Sequence, residues 1–167
     1  MSNERDLEGK FWKALRSDRT IMLGIIASAD HAQPMTALLE GDQESGPLWI
    51  FSAKDVDLVR AIGSGQRGMA QFVSKGHDLF ACIVGELSLE NNRAVIERLW
   101  NPYVAAWYEG GKSDPNLQLV RFDPEHAHIW LNENSLFSGV KLLLGADPRQ
   151  DYADKTAEVP LRSQPPG

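Results

Sequence analysis

The chain has 167 residues, and seventeen Lys and Arg against twenty-three Asp and Glu leave a formal net charge of −6. That length suits one domain able to bury roughly 70% of its unfolded surface, and a single cysteine, Cys82, excludes a disulfide scaffold and a zinc ribbon. The acidic balance argues against general nucleic-acid binding, no apolar run of about 18 residues is present to span a membrane, and the charged opening from Asn3 to Glu8 does not read as a secretory signal; a reduced, cytoplasmic setting is expected.

Leu7, Phe11 and Leu15 recur four apart and predict a short opening helix with Trp12 beside its stripe. The segment from Ile21 to Ile26 is rich in branched apolar residues and reads as a buried strand. After a turn at Asp30-His31, Pro34 to Leu39 reads as a second strand; its proline suits an edge or a first position, having no N–H for the ladder. A loop through Gly41-Asp42 and Ser45-Gly46-Pro47 leads to a third strand, Leu48 to Phe51. Asp55 can cap a helix that puts Leu58, Val59 and Ile62 on one face and stops at Gly63. Gly68 to Ser74 and Leu79 to Leu87 read as strands joined by a turn at Lys75 to Asp78. Beyond Glu90, the residues Ile96, Leu99, Trp100, Tyr103, Val104 and Trp107 make one continuous apolar helical face. Asn101-Pro102 interrupts it, with asparagine as cap and proline at the first helical position, so two helices with a bend are expected. A loop from Glu109 to Pro115 precedes strands Leu117 to Phe122 and His126 to Leu131, and Val140 to Leu144 reads as a final helix or turn. Residues 1–161 are expected to form the domain, and Arg162 to Gly167 a loose tail. Short strands separated by turns favour a mainly β (α+β) fold, an antiparallel barrel with helices outside it, over a doubly wound sheet.

Most motif-like features have plain structural readings. Gly63-Ser-Gly65-Gln-Arg-Gly68 has dinucleotide-fingerprint spacing but follows a helix and precedes a strand, the reverse of what a pyrophosphate site needs, so it reads as a helix stop and turn. Gly111-Lys112-Ser113 lacks the earlier glycine of a phosphate loop, that position being Ala106. His126 and His128 share one face of a strand but lack further ligands at useful spacing. Cys82 lies in an apolar strand and reads as an inert thiol. Asp55 and Asp57 read as charges complementing a helix start. The five tryptophans, Trp12, Trp49, Trp100, Trp107 and Trp130, are accounted for by core packing, or alternatively by a flat aromatic ligand or a subunit interface. No residue stands out as a general acid, base or nucleophile, so catalytic residues are not identified.

From Phe11 to Leu161 the chain resembles the general stress protein branch of the pyridoxamine 5′-phosphate oxidase-like, FMN-binding split barrels. The resemblance is carried by Phe11-Trp12, Pro34-Met35-Thr36, Leu48-Trp-Ile-Phe-Ser52, Leu99-Trp100-Asn-Pro102, Ala106-Trp107-Tyr-Glu-Gly-Gly-Lys112 and Glu158-Val-Pro-Leu161. The tryptophan-bearing pair in the middle of this series is the most specific part.

The resemblance implies a six-stranded antiparallel split β-barrel with flanking helices, a homodimer, and FMN held at the dimer interface. It matches Pro34, Met35 and Thr36 to the strand lying against the isoalloxazine ring, and Phe51 and Ser52 to the end of the third strand beside the ring or ribityl chain. It places Trp107 near the ring or the dimer seam and the phosphate near the start of the helix after the third strand. Two departures stand out. Gln33 occupies a position often held by arginine, which keeps donors but loses the charge. Val56-Asp57-Leu58 replaces the usual Ser-x-Lys, leaving Lys54 as the nearest substitute cation, with Arg60 and Lys75 behind it. The implied function is flavin-dependent redox chemistry on an unidentified small molecule, with the chemistry supplied by the cofactor. The alternatives are a non-enzymatic flavin sensor or store, a barrel holding another flat cofactor such as a deazaflavin, and a scaffold without cofactor.

Overall fold

Alternation of buried and outward-facing positions along most strands decides the architecture. In β1 (Thr20–Ile25) the residues Ile21, Leu23 and Ile25 are buried while Thr20 and Met22 face outward. The same period of two runs through β4 (Gln66–Val73) and β5 (Leu79–Glu90). One face of the sheet therefore closes on a core, and the computed structural model, which describes residues 2–42, 44–132 and 155–161, shows that face packed by helices. The first helix, α1 (Ser2–Asp18), extends further than its apolar stripe predicted and buries Leu7, Phe11, Trp12 and Leu15. Phe11 stacks at a tilt on Trp12, with centroids 5.2 Å apart, and meets Phe72 of β4 edge to face at 6.4 Å.

The remaining strands are β2 (Gln33–Thr36), β3 (Leu48–Ala53), β6 (Leu117–Leu131) and β7 (Thr156–Pro160). The sheet is antiparallel throughout, in the order β2-β1-β4-β5-β6-β3, with β7 added beside β6. Its end strands meet only where Leu38, just past β2, exchanges two 2.8 Å hydrogen bonds with Trp49 of β3. Elsewhere β2 and β3 are not paired and the sheet stays open, which is the split-barrel arrangement the resemblance implies.

Several expectations need correction. The two last predicted strands are one, β6, which runs through Pro124; the ladder absorbs the missing N–H at a bulge beside Gly85, where an added Cβ would strike the Asp123 carbonyl. The segment Thr156–Pro160, read only as part of a motif, is a seventh strand, because β6 is long enough to pair β3 with its first half and β7 with its second. Asp55 does not cap α2 (Asp57–Ile62): the cap position is Val56, without a side-chain bond, and the Asp55 carboxylate accepts from Asn116 Nδ2 at 3.2 Å. Leu58, Val59 and Ile62 are buried as expected. The expected turn at Val140 to Leu144 and the tail 162–167 lie outside the described residues.

The bend at Asn101-Pro102 is present. The helix α3 (Arg93–Leu99) ends there and α4 (Pro102–Ala105) begins, with the Asn101 side chain accepting from Tyr103 N at 3.0 Å and Val104 N at 3.1 Å. The bend divides the apolar stripe. Ile96 is buried with Leu38, Trp49, Val95, Leu117 and Leu119 in a second core cluster, and Leu99, Trp100, Phe51 and Tyr108 pack on its edge. Tyr103 and Trp107 instead stand out in solvent, 85% and 84% exposed. The single continuous apolar face read from the sequence is therefore two faces with different fates. Among the described residues no helix is long and apolar enough to cross a membrane.

Candidate functional site

A cavity of about 700 Å³ opens where β2 and β3 diverge. Its floor comes from β2 and β3, through Pro34, Met35, Thr36, Phe51, Ser52 and Ala53. The α4 segment closes one flank with Tyr103, Val104, Trp107 and Tyr108, and the α1–β1 junction supplies Asp18, Arg19 and Thr20. That volume falls within the usual range of about 300–1,000 Å³ for small-molecule sites.

The backbone hydrogen bonds show which polar groups of β2 and β3 face this opening. Ala37 N–H donates to the Arg19 carbonyl at 2.7 Å on the β1 side, and Leu38 N–H donates to the Trp49 carbonyl on the β3 side. In an antiparallel ladder successive residues point their polar groups to opposite edges. Thr36 and the carbonyl of Pro34 are thereby turned toward the split, as are Phe51 and Ala53 from the other strand. A flat heteroaromatic ring with donors and acceptors along one edge can take the place of the missing strand partner, and the aromatic flank gives it a face to lie on.

The aromatic flank is braced. The Tyr108 hydroxyl donates to the Ser52 carbonyl at 2.7 Å, and Trp100 bridges Tyr108 and Phe51, with centroids at 6.1 and 5.8 Å. Burial, helped by the nearby Asp114 carboxylate, pushes the Tyr108 phenol up to about 12, so it stays protonated at neutral pH. Asp114 itself is held low by N–H donors from Asn116 and Gly110. Asp18 is engaged too, its carboxylate accepting from Lys75 N–H at 2.7 Å.

Of the residues singled out in the sequence, Pro34, Met35, Thr36, Phe51, Ser52 and Trp107 line this cavity together. Gln33 lines instead a small neighbouring pocket of about 70 Å³, with Ser28, Asp30, His31 and Asp57. Lys54 lines neither; it is exposed, and its N–H donates to the Asn116 carbonyl at 2.9 Å. Arg60 pairs with Asp57 at 3.8 Å on the surface. Sequence reasoning passed over Asp18, Arg19, Thr20, Asn101 and Tyr108 as site residues. Tyr108 and Asn101 lie inside the motifs that carry the resemblance, and only the fold turns them toward the β2–β3 split. Asp18-Arg19-Thr20 carries no signal beyond being a polar triplet between two apolar patterns.

Other groups lie elsewhere. Cys82 is half-buried on the outer face, its thiol pushed up by burial and by Glu158. His128 Nδ1 contacts the Glu158 carboxylate, and its ring lies 4.2 Å from that of Trp130. Among the described residues no group of three or more His, Cys, Asp or Glu is placed to hold a metal. Lys112, in the predicted loop, pairs with Glu97 at 2.6 Å.

Comparison with known proteins gives the family. Residues 6–151 match the family model described as pyridoxamine 5′-phosphate oxidase like. A general stress FMN/FAD binding protein from Xanthomonas citri is 59% identical, with a TM-score of 0.75 over 79% of this chain and 93% of that one. A general stress family protein from Xanthomonas campestris pv. campestris is 57% identical, with a TM-score of 0.76 over 81% of this chain and 94% of that one. A general stress protein 26 from Jannaschia sp. is 26% identical, with a TM-score of 0.79 over 94% and 99%. No curated protein matches. Motifs, open antiparallel sheet and family model agree: the chain belongs to the pyridoxamine 5′-phosphate oxidase-like family.

Proposed function

We propose that this protein binds a flavin, FMN in the first instance, in the split between β2 and β3, and that a second copy of the chain covers it. The observation that carries the reading is the cavity of about 700 Å³ with an unpaired sheet edge on one side and an aromatic flank on the other. The Xanthomonas citri relative, described as FMN/FAD binding, supports it. In this reading Pro34 and Thr36 offer backbone groups to the polar edge of the ring. Met35 and Phe51 pack on it, the Ser52 hydroxyl bonds the ribityl chain, and Trp107 shields the open face. Tyr103 and Trp107 are too exposed for a monomer to need them there, and a homodimer seam would give them a partner.

Bound flavin would supply hydride and electron transfer. The chain's own residues would orient the ring, exclude water and hold polar atoms in place. Tyr108 is held protonated at neutral pH, and the Asp18 carboxylate accepts from the Lys75 main-chain amide. The proposed chemistry is the cofactor's own, acting on a small molecule in a cytoplasmic stress setting. The site equally fits a flavin store or sensor. Titration with FMN and riboflavin, followed by anaerobic mixing with NADH or NADPH, separates the two. Rapid bleaching of the flavin supports a redox enzyme, and binding without bleaching by any donor supports the store or sensor. Binding no tighter than the high micromolar range refutes the flavin site.

A further inference from the structure

The corner of the cavity at the α1–β1 junction is built differently from the rest. Arg19 is the one Lys or Arg among the residues lining the cavity, and it forms no ion pair among the described residues. Its backbone holds φ at +58°, the left-handed region where a helix end ordinarily carries glycine. Two main-chain bonds fix it there: Arg19 N–H to the Leu15 carbonyl at 2.9 Å, and Ala37 N–H to the Arg19 carbonyl at 2.7 Å. Thr20 and Thr36 are directly opposite each other in the β1–β2 ladder, both outward-facing and both on the cavity wall. An arginine whose backbone is fixed, on the same cavity wall as two threonines of paired strands, is the chemistry that can hold a phosphate or carboxylate.

The start of α2 offers no equivalent. That helix has only six residues and no cap bond, Asp57 stands in its first turn, and the small pocket beside it is lined by Asp30 and Asp57 with no lysine or arginine. Asp18 is the carboxylate nearest in sequence to Arg19, and it is engaged by Lys75 N–H.

We propose that Arg19, Thr20 and Thr36 form the anion-holding corner of this cavity, receiving a phosphate-type group from the ligand. The group belongs either to the flavin itself or to a second ligand lying beside it. The identity of that ligand rests on the flavin reading, whereas the corner does not.

The test compares the wild-type protein with Arg19→Gln, Arg19→Gly and the double variant Thr20→Val/Thr36→Val. Affinities for FMN and riboflavin are measured by fluorescence titration. Inorganic phosphate binding is measured by calorimetry, with and without riboflavin. Arg19→Gly relieves the backbone strain, so its melting temperature should match or exceed that of the wild type and separate lost binding from lost folding. Loss of about tenfold or more in FMN affinity, with riboflavin affinity kept, assigns the corner to the flavin's phosphate. An unchanged FMN-to-riboflavin ratio, with phosphate binding to the riboflavin-loaded protein lost in the variants, assigns it to a second ligand. A protein that binds neither flavin but binds phosphate in an Arg19-dependent way keeps the corner and removes the flavin reading. Phosphate binding absent or unaltered in every variant, together with an unchanged FMN-to-riboflavin ratio, overturns the proposal.

Discussion

Replacing Tyr108 by phenylalanine tests whether the aromatic flank is held by the Tyr108 hydroxyl's bond to the Ser52 carbonyl. The change removes one hydroxyl and leaves the ring that packs beside Trp100. The lost bond, 2.7 Å to the Ser52 carbonyl, joins a half-buried donor to the main chain of a buried residue, worth about 1 kcal/mol. For a chain of this size that lowers the melting temperature by roughly 2–4 °C near neutral pH. A second signature appears at high pH. The phenol is held up to about 12 in the folded state, against an ordinary value of 10.0. The neutral form is favoured by folding, so its contribution is complete below pH 10 and is lost as pH climbs toward 12. The full displacement corresponds to at most about 2.7 kcal/mol, and partial exposure of the ring reduces this to about 1 kcal/mol. Urea unfolding at pH 8 and at several values between 9.5 and 11.5 measures both effects. The variant should start less stable and lose less on the alkaline side than the wild type. Equal stability at pH 8 together with parallel alkaline curves would refute the assignment of this hydroxyl.

Three further predictions follow from the same geometry. Trp107→Ala, at a side chain 84% exposed in the single chain, should weaken the dimer and lower flavin affinity about tenfold; unaltered binding and an unaltered oligomer would remove Trp107 from both the site and the seam. Asn101→Ala removes both cap bonds of α4 and should cost about 1 kcal/mol, with weaker near-ultraviolet dichroism and weaker flavin binding; wild-type values for all three would show that α4 does not depend on its cap. Gly85→Ala drives a methyl into the Asp123 carbonyl and should cost about 3 kcal/mol; a thermal melt within 1 °C of wild type would mean that the bulge relaxes freely.

Periodicity made much of this fold legible. Strands β1, β3, β4 and β5 show as apolar runs between turns, the helices α1 to α3 through apolar spacing, and Asn101-Pro102 declares a helix start. The misreadings have local causes. Pro124 reads as a break because proline ends most ladders, but the bulge at Gly85 lets β6 continue, a compensation carried by a residue far away in sequence. The stripe from Ile96 to Trp107 satisfies a helical wheel throughout, yet the bend turns its second half out of the core. The cavity was legible only through the resemblance, since Pro34, Thr36, Phe51 and Trp107 share no spacing. Arg19 was silent because its importance lies in where α1 ends relative to β2, a relation set by register and not by neighbours in the chain.

The proposed arrangement is a planar flavin in the β2–β3 split with a second copy of the chain closing over it. Native mass spectrometry of the full chain, incubated with a modest excess of FMN and freed of unbound ligand, measures stoichiometry and ligand mass at once. A species of two chains carrying two FMN masses is expected. A single chain retaining no flavin would contradict it.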